Sequence, residues 1–393
     1  MPYIRRFRTL VSKIVRYRAI IQTYTDRSTI VEGSMRQHLV AIGLQLALAT
    51  AASANGLETY LEFPRDTPPG NLAIAPDGRM FMSVHGFYDP DVRVVEVMPD
   101  GSTVPYPTDD WARAPNEDGD GLNGVLGLRA DREGVLWMLD GQGEDQTGRV
   151  VGWNTRTEDL HAIFYIGAPV ARPFSFLNDL AVDRENEAIY ISDTADHVDS
   201  AIIVIDLETG RARRVLEGSR YTRAEDMPMI IDGREIVLGG EPAKIGINPI
   251  TVDPTNTWVY FAPMTGSAMY RIRTADLLDE SLDDAALEER IERYGDKPIS
   301  DGSTVDVAGN VYITAMTDNA IGVTRPDGIY EVLFQSDEDL PWPDGFSIGT
   351  DGYIYATVNE LHRSPVLNGG EDASRGTFRI VRFPALGPGI SGR

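Results

Sequence analysis

At 393 residues, with 60 acidic against 36 basic side chains and a net charge of -24, the chain is long enough for one large core. Its acidity speaks against nucleic acid and anionic membranes as partners. It holds no cysteine, which excludes disulfides, a thiol nucleophile and thiolate metal sites.

Residues 1–34 carry Arg5, Arg6, Arg8, Lys13, Arg16 and Arg18 but no globular pattern, and they read as an extension ahead of a true start at Met35. From Met35 a charged start leads into the apolar run Leu39 to Ala49 and the small-residue site Ala52-Ser53-Ala54. That is the pattern of a secretory signal, too short for a membrane span, with cleavage after Ala54 and a secreted or periplasmic product. Residues 55–393 are then the folded unit.

One pattern recurs six times in that unit. A polar residue precedes an apolar run, a polar turn follows, and a second apolar run ends on an aromatic. It is written at Asn71 to Phe81, Gly124 to Trp137, Phe176 to Thr194, Asn248 to Tyr260, Asp301 to Tyr312 and Asp344 to Tyr355. Each copy predicts two antiparallel strands. One small sheet cannot bury both faces, whereas six arranged radially bury a continuous core, so the repeat predicts an all-β fold, a six-bladed β-propeller. The extended stretches Glu58 to Phe63 and Thr377 to Phe383 are natural partners to close the ring within one blade.

Two stretches interrupt the repeat. Glu217 to Gly246 is a long insertion, either a lid over one channel mouth or a plain loop. Asp276 to Tyr294 places Leu287, Ile291 and Tyr294 at helical spacing, which predicts one outer amphipathic helix.

The stretches GLRADREGVLWMLDGQ (Gly127 to Gln142), SFLNDLAVDRENEAIYISDTA (Ser175 to Ala195) and PWPDGFSIGTDGYIYATVNELHR (Pro341 to Arg363) resemble the major royal jelly protein and yellow family. FAPMTGSAMYRIRTADL (Phe261 to Leu277) and SDGSTVDVAGNVYITA (Ser300 to Ala315) support the resemblance. It implies a six-bladed propeller and leaves function open, since members include pigment-pathway proteins, proposed dopachrome-converting enzymes, amine-binding salivary proteins and storage proteins. More distantly the chain is similar to the gluconolactonase and senescence marker propellers. That likeness implies a divalent metal with Asn178 and Asp301 among its ligands, and the carboxylate and amide oxygens of the repeat-opening residues suit a hard cation, calcium most readily. Their first-blade glutamate has no counterpart, since Pro69-Gly70-Asn71 stands there.

The polar residues that open the repeats are Asn71, Asn123, Asn178 with Asp179, Asn248, Asp301 and Asp344. First strands line a propeller's axis, so these residues are expected to converge at one mouth, with His85 overhanging it as a candidate ligand contact. Such a ring suits an aromatic or amine-like small molecule whose charge meets Asp179, Asp301 and Asp344. The same ring as a metal-dependent enzyme site, for lactone hydrolysis or dopachrome-type tautomerisation, and a non-catalytic structural or storage protein remain alternatives. Gly345-Phe346-Ser347-Ile348-Gly349 matches a nucleophile elbow but sits in an expected axial strand, and no nucleotide or flavin signature is present.

Overall fold

The computed structural model describes residues 56–117, 119–141, 147–195 and 197–392. The expected extension and signal, residues 1–54, lie outside them. Among the described residues six four-stranded antiparallel sheets form the blades. Their inner strands are Pro69–Ile74, Val125–Ala130, Leu177–Asp183, Ile247–Val252, Ser303–Val305 and Pro343–Ile348. Each inner strand lies against the next, and the sixth lies against the first, so the ring is closed.

Closure follows the expected route. Glu58–Pro64 pairs antiparallel with Thr377–Pro384 and supplies the outermost strand of the sixth blade, whose other three strands come from the far end of the chain. The two ends of the fold are thereby held by one ladder, and only short blade edges are left.

In four of the six repeats the closing aromatic bonds an aspartate at the preceding turn, while Tyr260 of the fourth packs edge-on against Tyr294, with ring centroids 4.9 Å apart. Trp137 Nε1 donates to Asp131 (2.9 Å), and the hydroxyls of Tyr190, Tyr312 and Tyr355 donate to Asp183 (3.2 Å), Asp306 (2.9 Å) and Asp351 (2.8 Å). Each of these aspartates ends the first strand or lies in the turn after it, and also accepts backbone N–H from that turn or the start of the second strand. The aromatic ring buries apolar area between blades while its polar atom ties the second strand to the preceding turn. In the first blade Phe81 has no such atom and packs on Tyr106 instead, with ring centroids 4.5 Å apart.

The helical stretch differs from its expected form. Two short helices, Thr274–Leu278 and Asp284–Glu288, occupy it, and Tyr294 belongs to the strand Glu292–Asp296. The fourth blade needs that strand as its outer edge, so the ladder with Ala268–Arg273 takes the residues that helical spacing had claimed. Asp283 caps the second helix by accepting from the Ala286 N–H (2.9 Å), and Leu287 is its buried residue.

The chain's last described residues cross the channel mouth beneath the blades. Val307 N donates to Pro388 O (2.9 Å), and Gly387 N donates to Asp306 (2.9 Å). Ile390 and Gly392 line the lower channel together with Thr251, Thr304 and Ser347. Ser347, the serine of the elbow-like motif, accepts the Ile74 N–H (3.0 Å) from the inner strand of the first blade.

Asp306 collects the Ala308, Asn310 and Gly387 N–H groups, the Asn310 amide and the Tyr312 hydroxyl while almost fully buried. Asp306→Ala is expected to cost about 3–5 kcal/mol, and Tyr312→Phe about 1 kcal/mol. Urea unfolding of both variants checks this, and equal losses would argue against the aspartate as the organising group.

Candidate functional site

Hydrogen-bond register places the axial residues. Leu72, Leu128, Leu180, Ile250, Ser303 and Phe346 are equivalent, each paired with the matching residue of its second strand. Two residues earlier in each blade stand Gly70, Leu126, Asn178, Asn248, Asp301 and Asp344, and these form the mouth ring. One residue earlier stand Asn71, Gly127, Asp179, Pro249, Gly302 and Gly345, the layer beneath.

Four of the expected residues are therefore in one ring. Asn178 Nδ2 donates to Asn248 Oδ1, and Asn248 Nδ2 donates to Asp301 Oδ1, a relay across three blades. Trp342 Nε1 donates to the other oxygen of Asp301 (2.6 Å). Asp344 accepts from the Asn359 amide (2.6 Å), which hangs from the end of the same blade's second strand. Trp342 holds a left-handed backbone with φ 63°, a strain that persists only where the surroundings fix the residue.

The first two blades depart from the expected pattern. Asn71 sits one layer lower, and Asn123 sits three residues ahead of its blade's ring position, exposed, with its amide donating to Asp140 (3.3 Å). Glycine and leucine occupy the ring in these blades, so no polar side chain marks the position.

Asp179 is also in the lower layer, and its charge is already met. Arg129, from the inner strand of the second blade, donates to Asp179 Oδ2 (3.3 Å) and to Asn71 Oδ1 (3.0 Å), and Asn71 Nδ2 donates to Asp179 Oδ1 (3.1 Å). Both members of this ion pair are about 8 % exposed, so the pair is desolvated and depends on its full set of hydrogen bonds. Arg129 was not among the expected residues. The signal for it is a lone arginine in an otherwise apolar axial run, GLRA.

Asp301 and Asp344 have no such cation. Among the described residues neither lies within ion-pair distance of a lysine or arginine. Burial pushes Asp301 up to about 7, aided by the field of Asp179 and opposed by the Trp342 and Asn248 hydrogen bonds. Burial likewise raises Asp344 well above the usual carboxylate range, with Asp301 as the next cause. Beside them Asn359 Oδ1 and Ser300 Oγ are buried without a hydrogen-bond partner. Unmet buried acceptors of this kind cost about 1–3 kcal/mol each.

His85 stands in register with Asn359, just past the second strand of the first blade. It is 5 % exposed, its Nδ1 accepts the Phe87 N–H (3.1 Å), and burial lowers it to about 3. It is neutral at physiological pH and adds no positive charge to the mouth.

The donor set does not fit a calcium shell as arranged. Both Asp301 oxygens accept N–H groups, Asn248 Oδ1 is taken by Asn178, and the Arg129 guanidinium stands in the layer below. Among the described residues no group of three or more His, Asp or Glu side chains is placed to hold a metal ion.

A family model described as Major royal jelly protein matches residues 123–385. Solved structures share the fold. A luciferin-regenerating enzyme is 11% identical, with 86% of this chain and 97% of that one covered and a TM-score of 0.54. A gluconolactonase from Xanthomonas campestris is 12% identical (85% and 92% covered, TM-score 0.52). A calcium-binding protein, regucalcin, from Agrobacterium tumefaciens is 14% identical (86% and 97% covered, TM-score 0.52). At these identities the likeness is one of fold. No curated protein sequence matches the chain.

The raised Asp301 gives a pH signature with a definite sign. Below about pH 4 the carboxyl is protonated in both states; between there and pH 7 the unfolded chain releases a proton that the folded chain keeps. Stability therefore falls as pH rises through this window and levels off above it. Asp301→Asn is expected to lessen that fall, leaving the contributions of Asp344 and Asp179, which burial also raises, as measured by guanidinium unfolding from pH 4 to 8.

Proposed function

The chain belongs to the major royal jelly protein family, and from that premise we propose that it is an exported small-molecule-binding propeller whose ligand is a primary amine on an aromatic body. One observation carries the reading: Asp301 and Asp344 meet at a single mouth with no cation of their own, beside a buried Asn359 oxygen that lacks a donor. A primary ammonium brings one charge and three N–H donors, which matches two carboxylates and one amide oxygen. Trp342, in contact with Asp301, is placed to meet the aromatic body. Asp179 is left out of the ligand's partners because Arg129 holds it.

The signal-like stretch at 35–54 supports export to a secreted or periplasmic location, and among the described residues no helix is long and apolar enough to cross a membrane. A second reading, tautomerisation of a quinone-like substrate, has one observation in its favour. Asp301 is a buried carboxyl raised to about 7, which is where a general acid–base works best near neutral pH. Under that reading Asp301 moves the proton and Trp342 holds the carboxyl in place. Turnover separates the two readings, since a binder saturates without product. The metal-hydrolase reading requires Asp301 to exchange its two N–H partners for an ion.

Isothermal titration with tryptamine, compared with indole-3-propionate, tests the proposal. Tryptamine is expected to bind and the anionic analogue not to. Asp301→Asn and Asp344→Asn are each expected to weaken binding by about 10- to 100-fold, the range of a lost charge-assisted hydrogen bond. Equal binding of the two indoles would sink the amine reading. One calcium per chain in elemental analysis, lost in Asp301→Asn, would put the metal reading in its place.

A further inference from the structure

The insertion between the third and fourth blades lies on the mouth face. Its Met229, Ile231 and Ile236 belong to one buried cluster with Met264, Met316 and Trp342. Met264 and Met316 follow the second strands of their blades, as Asn359 does in the sixth, so the insertion's underside rests on residues that overlook the ring. Trp342 is at once part of this cluster and hydrogen-bonded to Asp301.

The insertion is held at its tip. Ile230–Ile231 pairs with Arg234–Glu235 across a turn in which Asp232 (φ 52°) and Gly233 (φ 72°) both have positive φ, a tight two-residue hairpin. Asp232 Oδ2 accepts from Arg363 (2.7 Å) and faces His362 Nε2 (3.1 Å). Arg234 donates to the His362 carbonyl (2.7 Å) and to Asn368 Oδ1 (2.6 Å). Two-residue strands supply few ladder bonds, so these tip contacts and the apolar underside are what keep the hairpin in place. Asp232 is 43 % exposed, which makes the latch solvent-screened and breakable.

We propose that this insertion is an autoinhibitory lid: its underside fills the apolar half of the amine site, and a ligand reaches Asp301 and Asp344 only after the Asp232–Arg363 latch opens. The inference rests on the axial reading of the site. A chain of contacts joins latch to carboxylate, because His362 stacks flat over Trp342, with centroids 6.0 Å apart and planes at 5°, and Trp342 holds Asp301. Methionine suits the role, since a flexible thioether packs on Trp342 when the site is empty and yields to an aromatic body when it is filled. Apparent affinity is then reduced by the fraction of chains with the lid open.

Hydrogen exchange of the ligand-free protein tests the lid without any ligand. Asp232→Ala and Arg234→Ala are expected to speed exchange about tenfold both in residues 228–238 and at Trp342 to Gly345, with the inner strands of the second and third blades unchanged. Loosening of 228–238 with no change at Trp342 to Gly345, or no change in either, overturns the lid. Stopped-flow mixing with tryptamine adds the gating readout. The latch variants are expected to bind about tenfold faster, and equal rates overturn the gate. If tryptamine binds neither wild type nor variants, the axial reading fails, and the exchange result alone then decides the lid.

Discussion

Six strands can meet around one axis only if some of them bring no side chain to the point of contact. A Cβ on Gly302 would lie 2.2 Å from the Asp344 carbonyl oxygen, and one on Gly345 would lie 2.2 Å from the Asn71 amide oxygen. Real Cβ atoms do not come so close, so Gly302 accepts glycine alone without a shift of backbone, and a side chain at Gly345 would displace the Asn71 amide. The same crowding sets the chemistry. Inner strands drawn this tightly together leave little room for water, and the polar groups at their starts must satisfy one another or go unsatisfied.

That constraint makes the charge balance at the axis decisive. Three aspartates are brought together and a single guanidinium is provided. Arg129 neutralises Asp179 in the lower layer and orders Asn71 beside it, which leaves Asp301 and Asp344 at the mouth with raised proton affinity. A site so arranged either holds a proton or takes a cation from outside. The lower mouth is crossed by the tail through Ile390, so an outside cation comes from the insertion's side. The insertion, Trp342 and the axial carboxylates thus form one connected device, with the latch at one end and the charge at the other.

Much of the fold is legible in the sequence because its cause is local. The repeat shows as an aspartate followed a few residues later by an aromatic, and Asp131 with Trp137, Asp183 with Tyr190 and Asp306 with Tyr312 bond within a single turn of chain. Asn178, Asn248, Asp301 and Asp344 are legible for the same reason, as polar residues immediately ahead of an apolar run. Asn71 and Asn123 were assigned to the ring because the irregular register at the start of each inner strand is invisible in one dimension, and because Gly70 and Leu126 carry no polar group to mark the place. Arg129 is a non-local matter, since its partners are 58 and 50 residues away. The docking of the insertion is equally non-local: Asp232-Gly233 announces a turn, but nothing near it in sequence names Arg363 as its partner. The helical reading of 276–294 ran too far because the outer strand of a blade is set by its neighbour's ladder rather than by its own periodicity.

The central claim is that the axis carries carboxyl groups in excess of cations and exchanges a proton they hold for a bound ammonium. Calorimetric titration of tryptamine at pH 6.5 in two buffers of different ionisation enthalpy measures it directly, because the difference in apparent heat counts protons released. The account predicts net proton release on amine binding, reduced in Asp301→Asn. Binding with no proton exchange in the wild type would contradict it.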